Sequence, residues 1–199
     1  MRYLKAAALL VICLASSAYG GNGDAPADGP GALLSVFDAQ GRYVGPLVSF
    51  EDRGIATVIT VNGAIVVVPI SRASVGVHYS ASKFAWGSSG TLVEYPAANC
   101  SGPPTISTAE GGVGAGDTAP VRASVTIREG AETKVYVAPD TYSTTIVSQS
   151  QASTPLTPSS CSPSLGLSET GWLPETAYSL NGNYPEPLTI RMDEGQGRP

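Results

Sequence analysis

Two runs of mostly β-branched residues, 56–61 and 64–68, are separated only by Asn62-Gly63. Asn and Gly both tolerate positive φ. A two-residue type I′ turn needs that at both central positions, and its twist matches that of the flanking strands. This stretch therefore predicts a β-hairpin and makes it the central pair of the domain. Along the first arm, Ala56, Val58 and Thr60 alternate with Thr57, Ile59 and Val61. The second arm, Ile65-Val66-Val67-Val68, is apolar on both faces, which predicts a strand covered on both sides and the most buried one in the chain. Pro69 is expected to end it or to mark an edge.

The same punctuation recurs along the chain. Residues 33–37 predict a strand, Asp38-Ala39-Gln40-Gly41 a type I turn, and 42–48 the return strand. Gly45-Pro46 loosens that return strand, and Pro46 cannot donate to a ladder, so the strand should lie at an edge or break there. Residues 71–76 read as a loop, 77–79 as weakly extended, and 91–95 as a strand. Residues 110–120 form a Gly-rich stretch read as a mobile loop rather than a nucleotide site, because Pro120 and the β pattern after it leave no room for the required helix. Val121, Ala123, Val125 and Ile127 then alternate with Arg122, Ser124, Thr126 and Arg128, which predicts a second hairpin with a solvated face, returning along 134–137. Residues 143–149 predict another strand, and the Ser/Thr/Pro-rich 150–163 a loop. Short strands follow near Trp172 and over 176–180, with a turn at Asn181-Gly182-Asn183 and a closing strand at 188–192. No helical period persists over ten residues outside the N-terminus. About ten short strands with regular turn signals predict a single all-β domain, an antiparallel sandwich or irregular barrel, over residues 33–192.

The N-terminus has a different character. A basic start at Arg2 and Lys5, an apolar run over 6–15 and small residues before Gly20 have the layout of a secretory signal peptide spanning 1–20. The apolar run is too short for a membrane span, and Ile12 stands where lipidation of Cys13 would require a small residue. Residues 21–32, rich in Gly, Pro and Asp, read as a flexible leader, and 193–199 as a disordered tail. Removing the signal takes Arg2 and Lys5 from 11 basic residues set against 16 acidic ones, leaving a charge of −7. Such a chain has no basic cluster for nucleic acid, and no membrane insertion is expected after signal removal.

Cys100 and Cys161 then remain as an even pair, which in an exported protein predicts a structural disulfide. Catalytic chemistry is harder to place. His78 is the only histidine, and no Gly-x-Ser-x-Gly elbow accompanies it. Paired carboxylates could hydrolyse a glycoside; Glu94, flanked by Val93 and Tyr95 in a strand, is the acid that stands out among candidates that include Glu129 and Glu169. No Asp-x-Asp-x-Asp-Gly calcium loop occurs. No catalytic, cofactor-binding or metal-binding residue is assigned. The tyrosines and tryptophans read mainly as cross-strand and core residues, with Trp86, beside Gly87-Ser88-Ser89-Gly90, the candidate for an exposed anchor.

The segments 37–45 (Phe-Asp-Ala-Gln-Gly-Arg-Tyr-Val-Gly), Val61-Asn62-Gly63, 90–95 (Gly-Thr-Leu-Val-Glu-Tyr) and Cys100-Ser101-Gly102 carry a resemblance. This order is similar to a group of short exported bacterial proteins of unknown function, with a D-x-x-G-x-x-V-G opening, an N-G hairpin and a strand leading to C-x-G. Similar modules look like parts of surface or fibre-type proteins. The resemblance covers residues 33–106, rests on turn motifs and implies no catalytic residue. Pro103-Pro104 and the Gly-rich insert depart from it. The expectation is thus a secreted or periplasmic bacterial β protein, a non-enzymatic binding or structural module whose ligand is a protein or a glycan. The alternatives are a secreted glycan hydrolase using paired carboxylates and a periplasmic inhibitor or assembly factor presenting one loop.

Overall fold

The computed structural model describes residues 33–50, 54–87, 92–108, 121–153, 160–164, 166 and 168–193. The expected signal peptide, the leader, the Gly-rich stretch and residues 194–199 lie outside these. In chain order the strands are β1 (Leu33–Phe37), β2 (Tyr43–Phe50), β3 (Gly54–Val61), β4 (Ala64–Val75), β5 (His78–Trp86), β6 (Leu92–Tyr95), β7 (Ile106–Ser107) and β8 (Ser124–Glu129). They continue with β9 (Glu132–Val137), β10 (Thr144–Val147), β11 (Ser150–Ser153), β12 (Cys161–Pro163), β13 (Ser168–Trp172) and β14 (Thr176–Ser179). A single helical turn, α1 (Leu180–Asn183), precedes β15 (Thr189–Asp193). The chain is all-β, as its turn spacing predicts, with more strands than expected because the Ser/Thr/Pro-rich segment contributes β11 and β12 instead of a loop.

Six strands form one antiparallel sheet in the order β15-β1-β2-β3-β4-β5. Phe84 of β5 and Leu188, just before β15, exchange two backbone hydrogen bonds of 2.9 and 2.7 Å, so the sheet rolls into a nearly closed barrel. The β3–β4 hairpin lies within it. Asn62 and Gly63 have φ of 48° and 85° and join Val61 to Ala64, the geometry that their residue types favour. Val61, Val66, Val68 and Ile70 are buried in the barrel core with Val36, Val44, Phe84 and Trp86. In the first arm Thr57, Ile59 and Val61 take the buried face, joined by Ala56, while Thr60 is exposed.

Two prolines are accommodated inside the sheet rather than at an edge. The first half of β2 pairs with β1 up to Ser35↔Pro46, and the second half pairs with β3 from Leu47↔Thr57. Pro46 stands where the strand changes partner, and its carbonyl accepts a hydrogen bond from the Thr57 hydroxyl. Pro69 does not end β4. Its carbonyl accepts from Gly87 N, just past β5, so the N–H it lacks falls at the limit of that ladder. Beyond it β4 runs on to Val75 and pairs with β5 through a register shift, turning the expected loop at 71–76 into the first half of a long hairpin.

The β8–β9 hairpin forms as predicted, but its polar face is not solvated. Val125, Ile127 and Tyr136 belong to a second core with Val93, Tyr95, Ile106 and Ala152, whereas Val135 and Val137 of the same β9 face the barrel core. Thr126 and Ser124 lie opposite Val135 and Val137 and are fully buried. The sheet β14-β9-β8 is thus packed on both faces, and small hydroxyl residues fit where two layers meet. The second core is completed by the sheets β12-β11-β6 and β10-β13-β7. The expected turn at 181–183 is α1, capped by the Ser179 hydroxyl accepting from Gly182 N, and Asp193, placed in the tail by sequence, pairs with Leu33.

Cys100 and Cys161 form the predicted disulfide, with Cα atoms 5.9 Å apart. Cys100 sits on a left-handed loop, φ 52°, held by its N–H donating to the Ser150 hydroxyl, which itself donates to Ala97 O. The bridge clamps the Ala98–Cys100 turn to β12.

Replacing both cysteines by serine is expected to cost about 2–4 kcal/mol, read as a lower urea midpoint relative to the wild-type disulfide form. Gly45→Ala tests the β2–β3 approach, because a Cβ there would sit 2.1 Å from Val58 O. We expect a loss of roughly 2 kcal/mol or more, or failure to fold, measured by the thermal midpoint.

Candidate functional site

Glu94, the acid singled out by sequence, lies on β6 opposite Gln151 of β11. Glu169 lies on β13 opposite Ile146 of β10. The two small sheets that carry them bring the carboxyl groups close enough for the Glu94 side chain to act on Glu169. The Ser148 hydroxyl donates to Glu169 Oε1 at 3.4 Å, the Ser107 side chain also bonds Glu169, and Glu94 Oε2 is buried without a hydrogen-bond partner. Burial first, and the Glu94 charge after it, hold the Glu169 carboxyl above its ordinary range, against the opposing pull of the two serines. A retaining glycosidase needs its pair about 5–5.5 Å apart, and an inverting one needs more, to admit the sugar between them. Glu94 Oε2 is buried, so that oxygen is closed to a sugar ring.

A second polar cluster surrounds Glu129. It accepts from Lys134 Nζ at 3.2 Å and from the Tyr136 hydroxyl at 3.3 Å. Burial and the Glu129 charge push Tyr136 up to about 12 and Tyr95 higher still. Lys134 is raised mainly by its hydrogen bond to Glu129. These phenols stay neutral and act as packing groups of the second core. Trp86, expected as an exposed anchor, is 1% exposed. Its indole N–H donates to Tyr184 O at 3.1 Å and its backbone N–H to Glu186 at 2.6 Å. The Gly-Ser-Ser-Gly sequence argued for exposure, but the indole itself lies in the barrel core. His78 is exposed near the tip of the β4–β5 hairpin, and among the described residues no group of three His, Cys, Asp or Glu side chains could hold a metal ion.

The open surface lies elsewhere. Past the Phe84–Leu188 bridge, β5 and β15 diverge and leave a seam in the barrel wall. An open cavity of about 850 Å3 occupies it, lined by Leu34, Leu47, Ile55, Ile70, Phe84 and Ile190, with Arg72 and Ser82 at its rim. A second hollow of about 470 Å3 adjoins it, lined by Lys83, Thr189, Arg191 and the Asp38 turn; Ser82 and Ile190 border both. Asp38 is buried; burial alone would raise its carboxyl, but hydrogen bonds from the Arg42 and Gln40 backbones and from the Arg42 side chain bring it below its ordinary value. Beside the seam, the outer half of the β4–β5 hairpin projects as an arm, with Val75 and Val77 85% and 82% exposed and Tyr79 73% exposed. No Asp or Glu occurs between Asp52 and Glu94, so the arm is formed from a stretch without acids.

No family model, no curated protein and no solved structure matches the chain. Sequence reasoning reached both Glu94 and Glu169 as candidate acids but not their pairing, because nothing local links positions on β6 and β13 that meet only through two different sheets. The seam left no sequence signal at all; it arises where two strands part.

The acid pair makes a pH-dependent prediction. An acid whose folded pKa is raised binds its proton more tightly in the folded state, so its contribution is complete below the ordinary Glu value of 4.5 and is lost as pH rises from there through the folded value. Glu169→Gln removes that loss. Its thermal midpoint should exceed the wild type's at pH 7 and converge with it at pH 4.

Proposed function

We propose that this chain is an exported bacterial β module that works by binding rather than by catalysis, with the barrel seam as its binding site. The observation that carries this reading is the open seam: an apolar cavity in the mouth of a barrel, the kind of place where ligands bind, walled by an arm whose outer half has no packing role. The signal-peptide layout and the Cys100–Cys161 disulfide support export, since such bridges persist in oxidising compartments. Among the described residues no helix is long and apolar enough to cross a membrane. The resemblance to short exported proteins and surface modules agrees with the same placement. The burial of Glu94 Oε2 and the Ser148 bond to Glu169 support a structural pair over a hydrolytic one.

The test uses the full chain expressed in a bacterial host. We expect it in the exported fraction, shortened after Gly20, and retained on isolated cell envelopes. Ser82→Trp places an indole at the border of both hollows, at an exposed position; it should keep the thermal midpoint and lose retention. Release of reducing ends from a polysaccharide panel, abolished by Glu169→Gln, would overturn this reading in favour of the hydrolase.

A further inference from the structure

The two hollows of the seam differ in chemistry and share a border. The larger is floored by Leu47, Ile55, Ile70 and Phe84, at the edge of the barrel core. The smaller presents Lys83 and Arg191. Among the described residues, ion pairs engage Arg42, Arg122, Arg128 and Lys134, while Arg72, Lys83 and Arg191 stand in none. In a chain with more acids than bases, the cations left outside ion pairs among the described residues all line one seam. The Arg191 guanidinium is held 3.9 Å above the Phe37 ring, which fixes the plane of its donors. Asp38 borders the same hollow, but its carboxylate is already bound by Arg42. Asp193 is the acid on β15, two residues beyond Arg191.

An extended peptide would be the natural occupant if the strand edge were free, but the β5 edge is blunted. Arg72 donates to the carbonyls of Ser80 and Ala81, and the Ser80 hydroxyl accepts from the N–H groups of Ser82 and Lys83. Recognition is left to side chains: apolar at one end, cationic at the other. From this juxtaposition we infer that the seam binds a single-chain amphiphilic anion, its alkyl chain against Leu34, Leu47, Ile55, Ile70 and Phe84 and its carboxylate or phosphate on Lys83 and Arg191. The cavity volume is in the range of small-molecule sites, roughly 300–1,000 Å3, and the fork of Arg191 suits a two-oxygen anion. This rests on the binding reading above and names its ligand class.

Calorimetry on the oxidised chain with dodecanoate and dodecyl phosphate, below their micellar concentrations, tests it. We expect saturable binding of both, none by acetate or inorganic phosphate, and at least ten-fold weaker binding of dodecyltrimethylammonium. Lys83→Ala/Arg191→Ala should weaken dodecanoate at least ten-fold. Leu34→Asp should do the same through the tail; if that variant fails to fold, the double variant, at exposed positions, carries the test alone. Phosphatidylglycerol and phosphatidylcholine vesicles separate the sources. Uptake of free dodecyl phosphate supports the inference, whereas binding only to phosphatidylglycerol vesicles would mean surface docking and overturn it. Equal affinity for the ammonium amphiphile, an unaffected double variant, or tighter binding of an alternating Glu-Val peptide would overturn it too. If no amphiphile binds while Ser82→Trp still abolishes envelope retention, the ligand class fails and the binding reading stands.

Discussion

Closure of the barrel depends on a knot around Trp86. Its indole and backbone N–H groups bond to Tyr184 O and the Glu186 carboxylate, and its carbonyl accepts from Arg128 at 2.9 Å. Arg128 and Glu186 form an ion pair, both side chains mostly shielded. One residue therefore joins the last strand of the six-stranded sheet, the segment before β15 and the β8–β9 hairpin. A partly buried ion pair gains when it is also hydrogen-bonded, and here the Trp86 backbone bonds both partners, its N–H donating to Glu186 and its carbonyl accepting from Arg128. The same knot explains why the seam opens where it does. Phe84 and Leu188 are bonded beside the knot, and the strands part as soon as its hold ends.

The second half of the chain is organised by β9. Its alternate residues serve two cores, Val135 and Val137 on one side and Tyr136 on the other. A strand in that position has no solvent face, and its neighbour β8 must bury its hydroxyl residues. The Ser124 and Thr133 hydroxyls end up buried without hydrogen-bond partners, a cost offset by dense packing on both sides. The Asn62 amide donates to Thr176 of β14 at 3.0 Å, so the tip of the central hairpin also helps to seat this sheet against the barrel.

The polar groups fall into two kinds. The Glu94–Glu169 pair and the Glu129 cluster lie inside or at the edges of packed layers. Among the described residues, Arg72, Lys83 and Arg191 instead line the seam, outside any ion pair, where they meet an apolar floor.

The turns were legible in the sequence because their requirements are local. Asn62-Gly63 supplies two positive φ values, Asp38 and Gly41 close a four-residue turn through the Gly41 N–H to Asp38 O bond, and Cys100 and Cys161 had only one partner each once the signal region was set aside. Alternation along 121–128 found a strand, and Glu94 was correctly placed in one. What only the tertiary structure decided was which faces meet: that the polar face of β8 lies against a barrel, that Trp86 points inward, that Pro46 sits between two ladders, that Glu169 reaches Glu94, and that β5 and β15 part over an apolar floor. A turn is set by the dihedral preferences of adjacent residues, whereas the neighbour of a strand face is set by the packing of distant layers, which no local pattern encodes.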